Sequence, residues 1–206
     1  FGMVGLNRRF LPMINYGKRM VEEKGPVTQV VATFYKHIDE SVFYRGSMEA
    51  LGADGIHCVD TLRYVAGLDQ EVEELYSIPV RREDGMAVAW NAVMRFSNGV
   101  TGVLHTNYDV GGRVHTFEIH GKGISAYLAP DESAKILIDH AGKNKQMLVK
   151  DTKEIAGSNE VLHYYGTFLQ NRHFIDCIRN NVTPNIDFRD AIKTMRLVDQ
   201  IRTNGH

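Results

Sequence analysis

The spacing of hydrophobic residues changes several times along the chain. After Pro12, which suits a first helical turn, apolar residues recur every three or four positions, and Gly25 fits the left-handed position that follows a helix. From residue 28 to residue 35, β-branched and aromatic residues predict a strand. Residues 54–66 predict a second helix, which ends at Gly67.

The middle of the chain has the two-residue period of strands. The turn sequences Ser97-Asn98-Gly99 and Gly121-Lys122-Gly123 separate alternating segments, and a parallel crossover would need a dozen or more residues. We therefore expect antiparallel neighbours. The predicted strands cover residues 88–96, 100–108, 114–120, 124–128, 135–139 and 146–149. The polar residues 37–49 predict a loop that lines a cleft.

The last quarter of the chain returns to the helical period. Ser158 and Asp187 are placed to cap two helices, which Pro184 separates. The residues predicted to share one face of the first helix are Tyr164, Phe168, Ile175 and Ile178. The residues of the second helix predicted to face the core are Phe188, Ile192, Met195 and Val198. The order of elements predicts an α+β fold, with helices packed on one face of a large, open, mostly antiparallel sheet.

Composition narrows the classes of function. Of 206 residues, 43% are apolar and 24% are charged, the balance of an ordinary globular domain. The net charge is −1, and no basic run is longer than Arg8-Arg9 or Arg81-Arg82, which disfavours a nucleic-acid partner. No apolar stretch is long enough to span a bilayer, and no signal peptide opens the chain. Cys58 and Cys177 do not indicate a disulfide framework, so a cytoplasmic protein is the default expectation.

Two features of the sequence resemble functional motifs, but their context favours an ordinary structural role for each. Residues 121–126 match the dinucleotide fingerprint G-x-G-x-x-A in letters, but the apolar run that follows ends at Pro130 and suits a strand, whereas the fingerprint must open a helix. We therefore expect no nucleotide-phosphate cradle in this chain. His105, His115 and His120 lie on neighbouring strands without the spacing of metal ligands, so no metal site is predicted.

The helix at residues 54–66 carries the most suggestive chemistry. Its apolar arc comprises Cys58, Val59, Leu62, Val65 and Ala66, and the opposite side comprises His57, Asp60, Thr61 and Tyr64. His57 and Asp60 are three residues apart, so they are surface neighbours, and a histidine beside a carboxylate can exchange protons near neutral pH. The same pattern also fits a solvated helix face with Asp54 as its N-cap, because structural ion pairs outnumber catalytic ones.

Several further motifs occur in the order of one known family. They are Asn7-Arg8-Arg9-Phe10-Leu11-Pro12, Gly25-Pro26-Val27, the run from Gly52 to Asp60 closed by Gly67, Phe96 to Val100, Ile119 to Gly123, and Phe174 to Ile178 with the final helix. Together they make nearly the whole chain resemble the C-terminal domain of the glucose–fructose oxidoreductase/inositol dehydrogenase/MocA family. That domain is an open antiparallel sheet with helices on one face, and its other face is commonly used for dimerisation.

The resemblance implies an oxidoreductase that uses NAD or NADP. In the family, a Rossmann domain binds the cofactor, and hydride moves between the nicotinamide and a hydroxyl-bearing carbon of a sugar, polyol or cyclitol. By the resemblance, His57 is the acid–base group, supported by Asp60 and Asp54 and by a lysine of an E-K-P motif outside this chain. The family's aspartate four residues before the histidine corresponds to Ala53. Either Asp54 replaces it with a shifted geometry, or the group is lacking.

Other candidate residues surround this centre. Tyr64, His163 and Tyr164 are predicted to line the substrate pocket, although core packing fits Tyr164 at least as well. Arg8 and Arg9 are predicted to contact the cofactor or the carboxyl groups of a substrate, and a salt bridge at the domain boundary is the equal alternative.

The start of the chain, from Phe1 to Leu6, has the pattern of an internal strand. We therefore expect residues 1–206 to form a single C-terminal substrate-binding domain without its nucleotide-binding domain. The predicted partners are that Rossmann domain, a sugar or polyol, and further copies of the chain through the sheet, giving a dimer or tetramer. Two other functions stay open, a non-catalytic sugar-sensing module, which Ala53 favours, and a free-standing dimerisation domain.

Overall fold

The computed structural model describes residues 1–37, 49–139, 143 and 145–204. Its strands are β1 (Val27–His37), β2 (Val72–Arg81), β3 (Ala87–Phe96), β4 (Thr101–Asn107), β5 (Asp109–Gly121), β6 (Ile124–Leu128), β7 (Ser133–Ile138) and β8 (Gln146–Asp151). They form one sheet in the order β2-β3-β4-β1-β5-β6-β7-β8. The β1–β4 pair is parallel, and the six other neighbouring pairs of these strands are antiparallel. The predicted α+β class with a mostly antiparallel sheet is confirmed.

The helices cover one face of this sheet. They are α1 (Pro12–Glu22), α2 (Ile56–Ala66), α3 (Thr152–Ala156), α4 (Val161–Tyr164), α5 (Thr167–Asn180) and α6 (Phe188–Thr203). A 3₁₀ turn at Asn7–Phe10 precedes α1, and a π-helical turn at Leu51–Gly55 precedes α2. Helix α1 packs on β5 and β6, α2 on β1 and β4, and α6 on α2 and β2. The predicted apolar arc of α2 is buried, which places this helix over the centre of the sheet.

Strand side chains alternate between the helix-covered face and an open face. On β1, Val30, Ala32 and Phe34 point toward the helices and are fully buried. Across the sheet, Trp90 and Phe117 join them in one hydrophobic core. The open face instead carries exposed apolar side chains on five of the strands. They are Tyr76, Ile78, Val80, Val93, Val114, Tyr127, Met147 and Val149.

Some elements differ from the sequence prediction. Strand β2 was not predicted, because consecutive acidic residues and Pro79 hide its alternation. The short helix α3 was not predicted either. The helix expected after Ser158 is divided into α4 and α5 at Gly166, whose φ of 76° is left-handed. Residues 1–6 form no strand, and the predicted loop at 37–49 lies mostly outside the described residues.

The prediction that Phe188, Ile192 and Met195 of the final helix face the core is wrong. Phe168 and Ile175 are each 43% exposed, and Phe188 at the start of α6 is 63% exposed. Helix α6 instead turns a different set of residues toward the sheet, namely Ala191, Thr194, Leu197, Val198 and Ile201. Of the residues predicted to face the core, Val198 does so. The three others are exposed, and so are three apolar residues of α5; we call these six residues the helix patch: Phe168, Ile175, Ile178, Phe188, Ile192 and Met195.

Gly166 should be essential for the junction between α4 and α5. A Cβ there would lie 2.6 Å from the carbonyl carbon of Phe10 and 2.7 Å from its oxygen, and the left-handed φ adds strain. We expect Gly166→Ala to lower the free energy of unfolding by about 3 kcal/mol in urea denaturation, since backbone atoms must move as well. Gly157→Ala is the matched control, because Gly157 is also left-handed at 63° but a Cβ there meets nothing within 4 Å. The free energy of unfolding should fall by only about 1 kcal/mol in Gly157→Ala. Equal losses in the two variants would contradict the clash.

Candidate active site

Polar side chains gather where the helix-covered face meets one end of the central strands. His57 lies in the first turn of α2, and Lys36 lies near the end of β1. His115, in β5, is paired with Phe34 of β1, and the two rings stack 3.5 Å apart between centroids. Because these strands are neighbours, the sheet brings residues from distant parts of the chain to one location.

His57 is held as a neutral imidazole. Its Nδ1 atom is buried and has no hydrogen-bond partner. Burial lowers the pKa of His57 from its ordinary value of 6.5, and the positive charges of Arg8 and Lys36 lower it further. The carboxylates of Asp54 and Asp60 act in the opposite direction but do not compensate. At neutral pH this imidazole can therefore accept a proton.

Asp54 lies near His57 but uses its oxygens elsewhere. It belongs to the π-helical turn before α2, a conformation that occurs frequently at functional sites. Its Oδ1 atom accepts a hydrogen bond from Lys36, and its Oδ2 atom accepts one from the Tyr108 hydroxyl at 3.3 Å. Burial and the nearby Asp54 carboxylate raise the pKa of Tyr108, so its hydroxyl remains a donor. Asp54 therefore influences His57 through its charge and not through a direct hydrogen bond.

The prediction that Asp60 lies on the polar side of α2 is wrong. Asp60 and Thr61 are both 0% exposed. Arg9 donates two hydrogen bonds to the Asp60 carboxylate, Nε to Oδ2 at 2.8 Å and Nη2 to Oδ1 at 2.5 Å. The Thr194 hydroxyl of α6 donates a third, at 2.8 Å. Asp60 thus joins the 3₁₀ turn, α2 and α6, and it makes no hydrogen bond to His57.

Asp60 is part of a larger ion-pair network. Asp190 accepts a hydrogen bond from Arg9 at 2.5 Å and another from Arg63 at 3.1 Å. Arg63 also donates to the Thr194 hydroxyl at 2.6 Å. These charges are paired, as buried charges must be. Arg9 fits the alternative of a salt bridge, because its guanidinium group is already paired with Asp60 and Asp190.

Arg8 is placed quite differently from Arg9. It is 7% exposed, and its Nε and Nη1 atoms are buried without a hydrogen-bond partner. Its guanidinium carbon lies 4.9 Å from the ring centroid of Tyr165 and 5.6 Å from that of Phe34. Its Nη2 atom lies 3.4 Å from Nδ1 of His115. Burial lowers the pKa of His115 to about 2, helped by the positive charges of Arg113 and Arg8, so this ring is neutral.

Among the described residues, no hydrogen bond or ring contact joins His57 to the three residues predicted to line the pocket. The Tyr64 hydroxyl donates to Asn15 of α1 at 2.6 Å. The His163 ring stacks on Phe168 at 4.2 Å between centroids. Tyr164 contacts the next ring along the chain, Tyr165, at 5.6 Å. Their assignment to the substrate pocket remains a prediction.

Sequence reasoning missed five residues of this cluster, namely Lys36, Tyr108, Arg113, His115 and Tyr165. Arg113 donates to the Tyr165 hydroxyl at 2.6 Å and approaches His115 Nδ1 at 3.3 Å. The one available signal was the alternation of β5, which puts residues 113 and 115 on the face of buried Phe117. In the sequence, His115 was considered only as a possible metal ligand. Among the described residues, no group of three His, Cys, Asp or Glu side chains is placed to hold a metal ion.

Two of the cavities that described residues line lie away from His57. One, of about 630 Å³, lies along β2 and the end of α6, and the other, of about 350 Å³, lies between α1 and α3. Within the described part of the chain, no helix has the length and apolar character needed to cross a bilayer.

Comparison with known proteins identifies the family. The model of the GFO/IDH/MocA C-terminal domain matches residues 18–126, more than half of the chain. The chain therefore belongs to the GFO/IDH/MocA family, as the resemblance implied. No protein of the curated set matches the sequence.

Solved structures share this fold at low sequence identity. Levoglucosan dehydrogenase in complex with NADH and L-sorbose has a TM-score of 0.81 at 18% identity, covering 98% of this chain and 63% of that one. An oxidoreductase from Agrobacterium radiobacter in complex with NAD⁺, L-tartaric acid and magnesium has a TM-score of 0.76 at 19% identity, covering 98% of this chain and 62% of that one. A dehydrogenase (MviM) from Clostridium difficile has a TM-score of 0.75 at 22% identity, covering 97% of this chain and 61% of that one. The chain thus spans about three fifths of the length of these structures.

Loss of the Asp60 carboxylate should destabilise the fold. In Asp60→Asn, the buried Arg9 guanidinium loses its charged partner in α2, so we expect the free energy of unfolding to fall by about 3 kcal/mol. Glu74→Gln is the control, because Glu74 pairs with Arg95 on the open face where both side chains are half exposed. It should change stability by less than about 1 kcal/mol. Urea denaturation followed by circular dichroism measures both, and a loss for Asp60→Asn as small as the control's would refute the anchoring role.

Proposed function

We propose that this chain is the substrate-binding and acid–base part of an NAD(P)-dependent oxidoreductase that acts on CH–OH groups of sugars, polyols or cyclitols. The observation that carries the proposal is His57, a neutral imidazole with an unpartnered Nδ1 atom in a polar cluster at the end of the sheet. Membership of the GFO/IDH/MocA family supports it, as do the fold neighbours, two of which are complexes with NAD⁺ or NADH.

Oxidation of an alcohol removes a hydride from carbon and a proton from oxygen. A nicotinamide cofactor, when bound, would supply the hydride acceptor. His57 takes the hydroxyl proton, because its lowered pKa keeps the ring neutral before reaction, and it returns a proton when the reaction runs toward the alcohol. Asp54 stabilises the protonated ring by its charge, and Lys36 and Tyr108 fix the position of Asp54.

The unpartnered polar atoms of this cluster fit a bound polar ligand. Arg8, with two buried nitrogen atoms free to donate, is the better of the two arginines for contact with the substrate or cofactor. Arg9 is fully engaged by Asp60 and Asp190, so we assign it to structure. The dinucleotide itself needs a cradle from a Rossmann domain, since residues 121–123 turn between β5 and β6 and open no helix.

The exposed helix patch is a suitable surface for that Rossmann domain. It places large apolar side chains such as Phe188 and Ile192 in solvent, and such surfaces mark interaction sites. A second domain that covers this patch would also account for the greater length of the fold neighbours. We further infer a cytoplasmic location, with both cysteines as free thiols.

One observation favours a non-catalytic relative as the second candidate. Ala53 occupies the position of the family's aspartate, and Asp54 makes no hydrogen bond to His57. A sugar-responsive module would keep the pocket and bind ligand without turnover. The first experiment below separates the two candidates, because a sensor has no activity for the substitution to reduce.

His57→Asn should abolish proton transfer while it preserves the shape of the site. In the longest natural protein that carries this chain, we expect turnover of a sugar or polyol to fall by about 10²- to 10⁴-fold and NAD(P)⁺ affinity to change less than about threefold. In the unsubstituted protein, kcat/KM for alcohol oxidation should be maintained at pH 6.5 and fall only at lower pH, because the lowered pKa of His57 keeps the ring neutral there and only the neutral ring accepts a proton. His105→Asn on the open face is the control. Unchanged turnover in His57→Asn would reject the proposed role.

We propose in addition that the open face of the sheet joins copies of this chain into a dimer or tetramer. Its exposed side chains include Tyr76 at 73% and Ile78 at 70%, and exposed apolar side chains that share one face mark interaction surfaces. We expect Ile78→Lys to reduce the oligomer mass measured by sedimentation velocity, because burying a lysine in an apolar interface is costly. Phe188→Lys on the helix patch is the matched control and should leave that mass unchanged. Identical behaviour of the two variants would argue against the sheet interface.

A further inference from the structure

The cluster beside His57 contains buried hydrogen-bond donors that have no partner among the described residues. Arg8 is 7% exposed, and its Nε and Nη1 atoms have no partner. A guanidinium group always carries its charge, and leaving charged donors unpaired in the interior is costly. Such atoms are rare in folded proteins, and each calls for an explanation. An acceptor group from a ligand would supply one here.

His115 adds a donor whose direction the structure fixes. Its Nδ1 atom faces Nη2 of Arg8 at 3.4 Å and Nη2 of Arg113 at 3.3 Å. Guanidinium nitrogens only donate, so Nδ1 must be the acceptor, and the ring proton of the neutral imidazole resides on Nε2. That Nε2 atom is also buried and has no partner. Stacking on Phe34 holds the ring in this orientation.

The charges around these donors leave a positive surplus. Lys36 is paired with Asp54, and Arg113 lies 3.5 Å from Asp131. Both Arg8 and Arg113 approach the ring of Tyr165, at 4.9 Å and 5.4 Å from its centroid. Among the described residues, Arg8 alone of these three cations has no carboxylate partner. One uncompensated cation matches a ligand group of charge −1.

We propose that the substrate of this site carries a carboxylate, and that Arg8 and His115 bind it while His57 acts on a hydroxyl of the same molecule. This inference rests on the proposed function and specifies its substrate class as sugar acids, such as aldonic or uronic acids. A planar guanidinium fork matches the geometry and the single charge of a carboxylate. A phosphate ester, at a charge of about −1.5 to −2, would exceed the one free cation.

The experiment compares matched pairs of substrates in the longest natural protein that carries this chain, with NAD⁺ and NADP⁺. Each pair joins an acid to its neutral counterpart, gluconate to sorbitol and glucuronate to glucose. We expect kcat/KM to be at least about 10-fold higher for the acid. In Arg8→Gln, kcat/KM should fall about 10- to 100-fold more for the acid than for its neutral counterpart, and Arg8→Lys should recover part of that difference. Arg95→Gln, on the open face, should leave the acid-to-neutral ratio unchanged.

A second variant keeps the test decisive if Arg8→Gln does not fold. Arg113 is 44% exposed in its side chain, and Arg113→Gln should weaken the acid preference through the orientation of His115. Titration calorimetry of gluconate on the NAD⁺ complex gives a readout without turnover, and Arg113→Gln should raise its Kd.

Three results would overturn the inference: equal kcat/KM for acids and neutral counterparts, a ratio that neither arginine variant changes, or higher kcat/KM for sugar phosphates than for sugar acids. A uniform loss for all substrates in Arg8→Gln would also overturn it, because the free donors would then belong to contacts within the protein. Failure of the proposed function has a different signature, since the unsubstituted protein would turn over neither member of any pair.

Discussion

The ion pair between Arg9 and Asp60 is the interaction on which the arrangement of the site depends. It is fully buried. Thr194 of α6 donates a hydrogen bond to Asp60, and Arg9 donates one to Asp190 of α6, so the 3₁₀ turn and two helices are fixed relative to one another. His57 lies one turn before Asp60 on α2, and Arg8 adjoins Arg9 in the chain. The same anchor therefore sets the position of the imidazole and of the free guanidinium group. Asp60, which has the appearance of a catalytic carboxylate in the sequence, is thus paired with Arg9 in the interior.

Burial and a surplus of positive charge together explain the chemistry of the cluster. Both factors lower the pKa of His57 and of His115, so the two rings are neutral and differ only in their neighbours. For His57, neutrality provides a base for proton transfer. For His115, it provides a directed donor beside Arg8. The proposed proton transfer and the proposed recognition of an anionic group would thus share one electrostatic environment, in which burial is the largest cause of the lowered pKa values.

The chain exposes apolar side chains on two surfaces that arise from different elements of the fold. The open face of the sheet follows from strand alternation, with apolar residues on the side that no helix covers. The helix patch follows from the orientation of α5 and α6, which direct Phe168, Phe188 and Met195 into solvent. A domain that works alone rarely exposes so much apolar surface. The proposed oligomer and the proposed Rossmann domain would each bury one of these surfaces.

The sequence by itself determined the local elements and the family. Hydrophobic periods and turn residues predicted most strands, helix α2 and the cap at Asp187, because these depend on neighbours within a few residues. The apolar arc of α2 was predictable, but only the tertiary structure decided that Asp60 and Thr61 on its opposite side are buried as well. A polar side chain such as Asp60 enters the interior when a partner from another segment pairs with it, and Arg9 lies 51 residues away. The meeting of Arg8 with His115, 107 residues apart, likewise needs the pairing of β1 with β5, which local spacing does not encode.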